Sequence, residues 1–393
     1  MVRGLRRLAV IILSFGLLAS MITIGQAQEA GDSRGITARA ESPKGAVFAM
    51  TNETADNRII TYSRATNGTL DRVGSISTRG NGIGVDLDTQ SGLELSNDHR
   101  FLYAVNAGSD DVTIFSVDGT NLTFLEKVYA GDQPNSLTIH RDLLYVLNGS
   151  VAGNGITGFR IASDGTLAPL RGSFRLLSSP IAVPGEVQFS PDGRFLLVTQ
   201  KTTNVLLKPQ NAIDAFRVKS NGLTSATPKR IASHGLRPFS LAFRHDGKLV
   251  VTESFNAAPF ASALSSYRLT SDGRLSVISG SVPNRQTDTC WVVITDDGRY
   301  VFTANFGNGT ISSYSFSSTG KVRLIDGNAA FLGALSQPVD LALSADSRFL
   351  HLLLRGTGGV ASFRIEENGT LEPLGVVTGG LPVADGASGL AAF

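Results

Sequence analysis

SPDGRFLLVTQ, Ser190–Gln200, reads as the end of one strand, a tight Asp-Gly turn, and a second strand that is almost wholly apolar. The same layout returns as SNDHRFLYAVN (Ser96–Asn106), RHDGKLVVTES (Arg244–Ser254), TDDGRYVFTAN (Thr295–Asn305) and SADSRFLHLLL (Ser344–Leu354), with a shortened copy in IHRDLLYVLN (Ile139–Asn148). Downstream of the motif comes a strand with an aliphatic residue and, three residues on, one ring: Tyr62, Phe115, Phe159, Phe216, Tyr267, Tyr314 and Phe363. A turn ending in glycine follows, at Gly68, Gly119, Gly165, Gly222, Gly273, Gly320 and Gly369. The glycine spacings are 51, 46, 57, 51, 47 and 49. Six of the seven have Asn or Asp before the Gly, the residues that tolerate positive φ in a hairpin turn.

One repeat is therefore strand A, an Asp-centred turn, strand B, a loop, strand C, a Gly turn and strand D. Seven such units predict an all-β fold, a seven-bladed β-propeller of four-stranded antiparallel blades over residues 45–393. A β-solenoid would have shorter, parallel coils, and immunoglobulin-like domains would need about 100 residues each. The first repeat opens at Ala46 with VFAMTN, a B strand without its A strand. The chain ends ASGLAAF, Ala387–Phe393, which reads like an A strand. The C-terminal strand is thus expected to complete the first blade and leave no free sheet edge at the seam.

Composition agrees. Hydrophobic residues are 42% and charged residues 17%, with 43 Gly, which excludes a disordered chain and a coiled coil. Arg3, Arg6 and Arg7 precede an apolar run from Leu8 to Ile24 and then Gly25-Gln26-Ala27. Residues 1–27 read as a cleavable export signal, residues 28–44 as a flexible lead-in, and the location as secreted or periplasmic. An uncleaved anchor and a twin-arginine signal are the alternatives. Loss of residues 1–27 leaves 32 basic against 33 acidic side chains, with no basic surplus for a nucleic-acid partner and no second membrane span. The single cysteine, Cys290, lies in a strand-like run and reads as a buried small hydrophobe.

In such a fold the D–A and B–C loops gather at one end of the central channel. The B strands end there in Asn52, Asn106, Asn148, Gln200, Glu253, Asn305 and Arg355, and Gln133, Glu186, Arg237, Asp288 and Gln337 are read as preceding the A strands. Asn106, Asn148, Glu186, Gln200, Asn305 and Arg355 are the candidate ligand-binding residues of this polar collar. No His spacing suits zinc, and Asp86-Leu-Asp88 and Asp110-Asp111 read as solvated loop carboxylates ahead of a calcium site. No metal and no cofactor is expected.

The repeat, with SPDGRFLLVTQ and the SDGTL turn of Ser163–Leu167, resembles the seven-bladed propeller lactonase family, which includes 6-phosphogluconolactonases and fungal carboxymuconate lactonising enzymes. The resemblance implies a site of one His, two Arg and one Glu at the channel mouth. Arg237, in Gly235-Leu-Arg237-Pro, and Glu253, in Thr252-Glu253, match one Arg and the Glu and are the candidate catalytic residues. No His stands near Pro184-Gly185-Glu186, and Phe306 takes the place of the second Arg. Lactone opening needs an activated water and a stabilised oxyanion, with Glu253 as base and Arg237 as clamp; an ordinary Arg237–Glu253 ion pair is the competing reading. Two functions remain: an exported hydrolase of a small carbohydrate or organic-acid lactone, or a non-catalytic monomeric propeller that binds a small molecule or protein at its mouth.

Overall fold

Seven antiparallel sheets, six of four strands and one with its outer strand in two pieces, ordered A-B-C-D from the channel outward, make up the computed structural model, which describes residues 45–149, 154–179, 182–201, 211–384 and 386–393. The expected export signal and lead-in lie outside the described residues. The A strands are Leu390–Ala392, Leu93–Leu95, Pro134–His140, Val183–Phe189, Pro238–Phe243, Thr289–Ile294 and Pro338–Leu343, for blades one to seven. Each neighbours the A strand of the next blade all the way round. The seam is as expected: Val47, Phe48 and Ala49 pair with Ala392, Ala391 and Leu390.

The repeat motif has a local cause. Ser190 Oγ donates to Asp192 (2.7 Å) and accepts from the Phe195 N–H (3.0 Å), while Arg194 Nε donates to the same carboxylate (2.6 Å). Ser96, Asp98, Arg100 and Phe101 repeat the pattern, as do Thr295, Asp297, Arg299 and Tyr300. Asp pre-folds the turn and the hydroxyl satisfies the first amide of strand B. The ring that follows then packs on a neighbouring blade. A Cβ on Gly165 would lie 2.3 Å from the Phe101 ring, and one on Gly369 would lie 2.5 Å from the Tyr300 ring. Both glycines also have positive φ, +86° and +81°. The turn glycine of one blade is therefore the seat for the B-strand ring of the preceding blade.

B and C strands are buried on both faces, as in Phe101–Asn106, Leu143–Asn148 and Phe349–Leu354. Each fully buried Phe or Leu side chain contributes about 1.5–3 kcal/mol. Blade three departs from the expected single D strand: Leu167–Pro169 and Arg175–Leu176 pair separately with Gly155–Ile161, because Pro169 and the positive-φ Gly172 interrupt the ladder. In five blades the A strand carries a bulge near its start, which places Glu186 and Asp340 within irregular backbone beside the channel.

Two predictions follow from this packing. Deleting residues 387–393 leaves Gly45–Met50 as an open inner edge, and the thermal melt followed by circular dichroism is expected to become broad and non-cooperative. His351 is fully buried, with Nδ1 2.9 Å from Ser362 Oγ and Nε2 without a partner. Burial, aided by Arg64, holds its pKa down at about 3. The stability gained by keeping it neutral is present above the unfolded value of about 6.5 and is lost as pH falls toward 3. His351→Phe should flatten the fall in Tm between pH 6 and pH 4.

Candidate functional site

The connection from blade one to blade two, residues 78–92, is far longer than its counterpart at residues 130–133. It leaves blade one tied to Asn52, whose Nδ2 donates to the Val85 carbonyl (2.7 Å) and whose Oδ1 accepts from the Ile83 N–H (3.0 Å). It then crosses the channel. Thr89 Oγ1 donates to the Asn135 carbonyl of blade three (2.6 Å), and the Gln90 N–H donates to the Gly185 carbonyl of blade four (3.2 Å). The Gln90 amide exchanges two hydrogen bonds with the Val292 backbone of blade six (2.8 and 3.0 Å), and Trp291 Nε1 donates to the Thr89 carbonyl (2.9 Å). Asp88 meets Arg237 of blade five (3.4 Å) and Asp86 meets Arg355 of blade seven (2.9 Å). Four residues, Asp86, Asp88, Thr89 and Gln90, thereby bind five blades together, and the Thr89 carbonyl and the Gln90 N–H both find partners, as buried backbone inside a channel requires.

These contacts overturn the reading of Asp86 and Asp88 as solvated loop carboxylates. Both face cations that end B strands or precede A strands. Lys201, fully buried, places Nζ 2.8 Å from Asp88 Oδ2 and also bonds the Asp88 carbonyl. Arg237 pairs with Asp288 (3.2 Å) as well as Asp88. Arg355 also bonds Gln337 (3.0 Å). Phe239, Trp291 and Phe306 lie under the cations: Lys201 sits 3.9 Å from the Phe239 centroid and Arg355 4.9 Å from that of Phe306. Burial raises the pKa of Asp288, with Arg237 opposing it, and burial lowers that of Lys201, with Asp88 opposing. Arg237, Asp288 and Asp88 keep partial solvent access, with side-chain exposures of 12%, 16% and 38%. Cys290 is buried, as expected, with Sγ 3.4 Å from Asp288 and a pKa pushed up by burial.

The rest of the collar is turned inward. Asn106 donates to Asp111 and Thr113 and accepts from Asn57 and Thr78. Asn305 donates to Thr310 and Ser312 and accepts from Thr289 and Asn284. Asn148 donates to the Ala130 carbonyl and accepts from Thr157. Gln200 donates to Ser178. All four are fully buried. Thr113, Thr157 and Ser312 each face the residue two before the collar residue, so one tie recurs around the ring. Glu253 occupies the same position in blade five. Its carboxylate accepts from Ser265 (2.5 Å), Ser281 (2.6 Å) and the Gly235 N–H (2.8 Å). It is fully buried and forms no ion pair with Arg237. Glu186, expected before its A strand, instead lies within it, in the bulge of Val183–Phe189, and its buried carboxylate faces the interior of the channel, near Gln90 (3.4 Å) and the Leu241 N–H (2.8 Å).

Among the described residues no group of three or more His, Cys, Asp or Glu is placed to hold a metal ion, and no helix is long and apolar enough to cross a membrane. Reading the sequence missed Lys201 and the channel-crossing segment. The available signal was the length of residues 78–92, with two carboxylates at its far end opposite a collar that contains Arg237 and Arg355.

The family model for seven-bladed β-propeller lactonases matches residues 39–183 and 254–330. The unmatched stretch between them holds Lys201, Arg237 and Glu253. No curated protein sequence matches the chain. Among solved structures, a protein from Lactobacillus plantarum superposes with TM-score 0.68 at 18% identity, covering 90% of this chain and 100% of its own. A candidate 6-phosphogluconolactonase from Bacteroides fragilis gives 0.66 at 19%, covering 91% and 99%. A periplasmic gluconolactonase from Pseudomonas aeruginosa gives 0.66 at 17%, covering 88% and 98%. At these identities the likeness is one of fold.

Asp88→Ala should leave the buried Lys201 ammonium without its carboxylate and cost about 3 kcal/mol in urea unfolding. Adding Lys201→Met to that variant should restore most of the loss.

Proposed function

The chain belongs to the lactonase family of seven-bladed β-propellers, and from that premise we propose that it hydrolyses a lactone at the Arg237 end of its channel. The observation that carries the reading is Arg237 held 3.2 Å from Asp288 at a partly exposed mouth. In this mechanism the guanidinium receives the carbonyl oxygen of the lactone and stabilises the negative charge that forms as water adds. Asp288, whose pKa is raised by burial, takes the proton from that water. The ring C–O bond then breaks and the proton passes to the departing alkoxide, giving a hydroxy acid. Glu253 is a positioning residue here: it fixes Gly235, two residues before Arg237.

The substrate class is an unphosphorylated carbohydrate or organic-acid lactone, met after export, since the leader directs the chain out of the compartment where phosphorylated sugar lactones arise. A periplasmic location has a counterpart in the Pseudomonas aeruginosa structure. A second reading, a non-catalytic propeller that binds a ligand at its mouth, draws support from the pairing of Lys201, Arg237 and Arg355 with the protein's own carboxylates.

A panel of sugar and aliphatic lactones separates the two. Hydrolysis above background is expected, with Arg237→Met and Asp288→Asn each lowering kcat/KM by about 10²–10³-fold. Glu253→Gln should lower Tm more than it lowers kcat. Background rates across the panel would leave the non-catalytic reading, and hydrolysis unaffected by Arg237→Met would contradict the placement of the reaction at this residue.

A further inference from the structure

The channel is closed at the mouth by residues 86–91, but below them it is hollow. A cavity of about 700 Å³ runs from Gln90 and Ser91 to the opposite face, among the Asp-centred A–B turns. Its walls come from the A strands of six blades, including Leu93, Ala242, Val293 and Leu341. Its polar lining includes the partly buried Glu94 and Gln188 and the buried Asp340, with Gln90 and Ser91 at the closed end and Ser96, Asn97, His99, His245 and Asp296 toward the rim, and no Lys or Arg lines it. Such a volume is in the range of small-molecule pockets. The Gln188 Oε1 accepts from the Phe243 N–H (3.2 Å), and its amide nitrogen has no partner among the described residues. Asp340, 3% exposed, accepts from the Gly389 N–H (2.7 Å) and meets no cation.

We propose that this blind chamber binds a small organic cation, an ammonium group on a hydroxylated skeleton, with Glu94 and Asp340 as its counter-charges and the Gln188 amide as a donor to a ligand hydroxyl. Carboxylates removed from water with no opposing charge are costly and take up protons or attract a cation. Burial pushes Glu94 up to about 7, against a hydrogen bond from Ser91, and pushes Asp340 up to about 7 as well. The charged groups that face them are all acidic: Glu186 and Asp340 around Glu94, and Asp86 and Glu94 around Asp340. The imidazoles of His99 and His245 stand at the rim. An incoming ammonium ion restores the charged form of both carboxyls, so binding releases protons and strengthens as pH rises through 7. An anion meets only repulsion. The site is separate from the mouth and does not depend on lactone hydrolysis there.

Titration calorimetry on the intact chain with three six-carbon probes tests the proposal: glucamine (cation), sorbitol (neutral) and gluconate (anion). Glucamine is expected to bind at least about tenfold more tightly than sorbitol, with no heat from gluconate. Its affinity should rise from pH 6 to pH 8, and its heat should vary with buffer ionisation enthalpy. Glu94→Gln should cost about tenfold in affinity and reduce the proton release, at an unchanged or higher Tm. Asp340 is left intact because it also holds the closing strand. Equal binding of sorbitol, no binding of glucamine, or an unaffected Glu94→Gln variant would overturn the proposal.

Discussion

A polypeptide segment can cross the hollow of a propeller only if its backbone and charges are matched there, by the free inner edges of the A strands and by side chains that reach the channel. Residues 86–91 meet that condition at several places around the ring. Gly185 lies in the bulged stretch of blade four and lends its carbonyl to Gln90. Val292 of blade six presents both its N–H and its carbonyl to the Gln90 side chain. The cations at the B-strand ends and before the A strands receive Asp86 and Asp88. The mouth, the cavity below it and the exposure of Arg237 all follow from this one crossing.

The crossing divides the channel into two environments of opposite character. Above it, Lys201, Arg237 and Arg355 stand over Phe239, Trp291 and Phe306 and share three carboxylates. Below it, Glu94, Glu186 and Asp340 line or border a space whose described lining holds no Lys or Arg. Reagents of opposite charge therefore belong at the two ends. Asp340 also grips the Gly389 N–H, so the acid of the lower chamber is part of the seam that closes the ring.

The fold was legible in the sequence because it is written seven times. The Ser/Thr-x-Asp turn, the ring at the head of strand B and the Asn/Asp-Gly turn each have a local physical cause that a single copy already carries. Ala387–Phe393 was readable as the missing A strand on the same grounds. The site was less legible, because it lies where the repeats differ. Glu253 reads as a base when compared with a family motif, but its place in the repeat is that of Asn106 and Asn305, an internal tie to strand C. Asp86 and Asp88 read as loop carboxylates since nothing local shows that residues 78–92 turn inward. Nothing local marks Lys201, because its partner lies 113 residues away.

Hydrogen exchange of the peptide that spans Asp86–Leu93 measures the crossing most directly. If the segment is held across the channel as described, its amides exchange as slowly as those of Lys248–Glu253 in the middle of blade five. Exchange as fast as that of the exposed turn at Asn97 and Asp98 would show a free loop, and with it an open mouth and a channel that runs through.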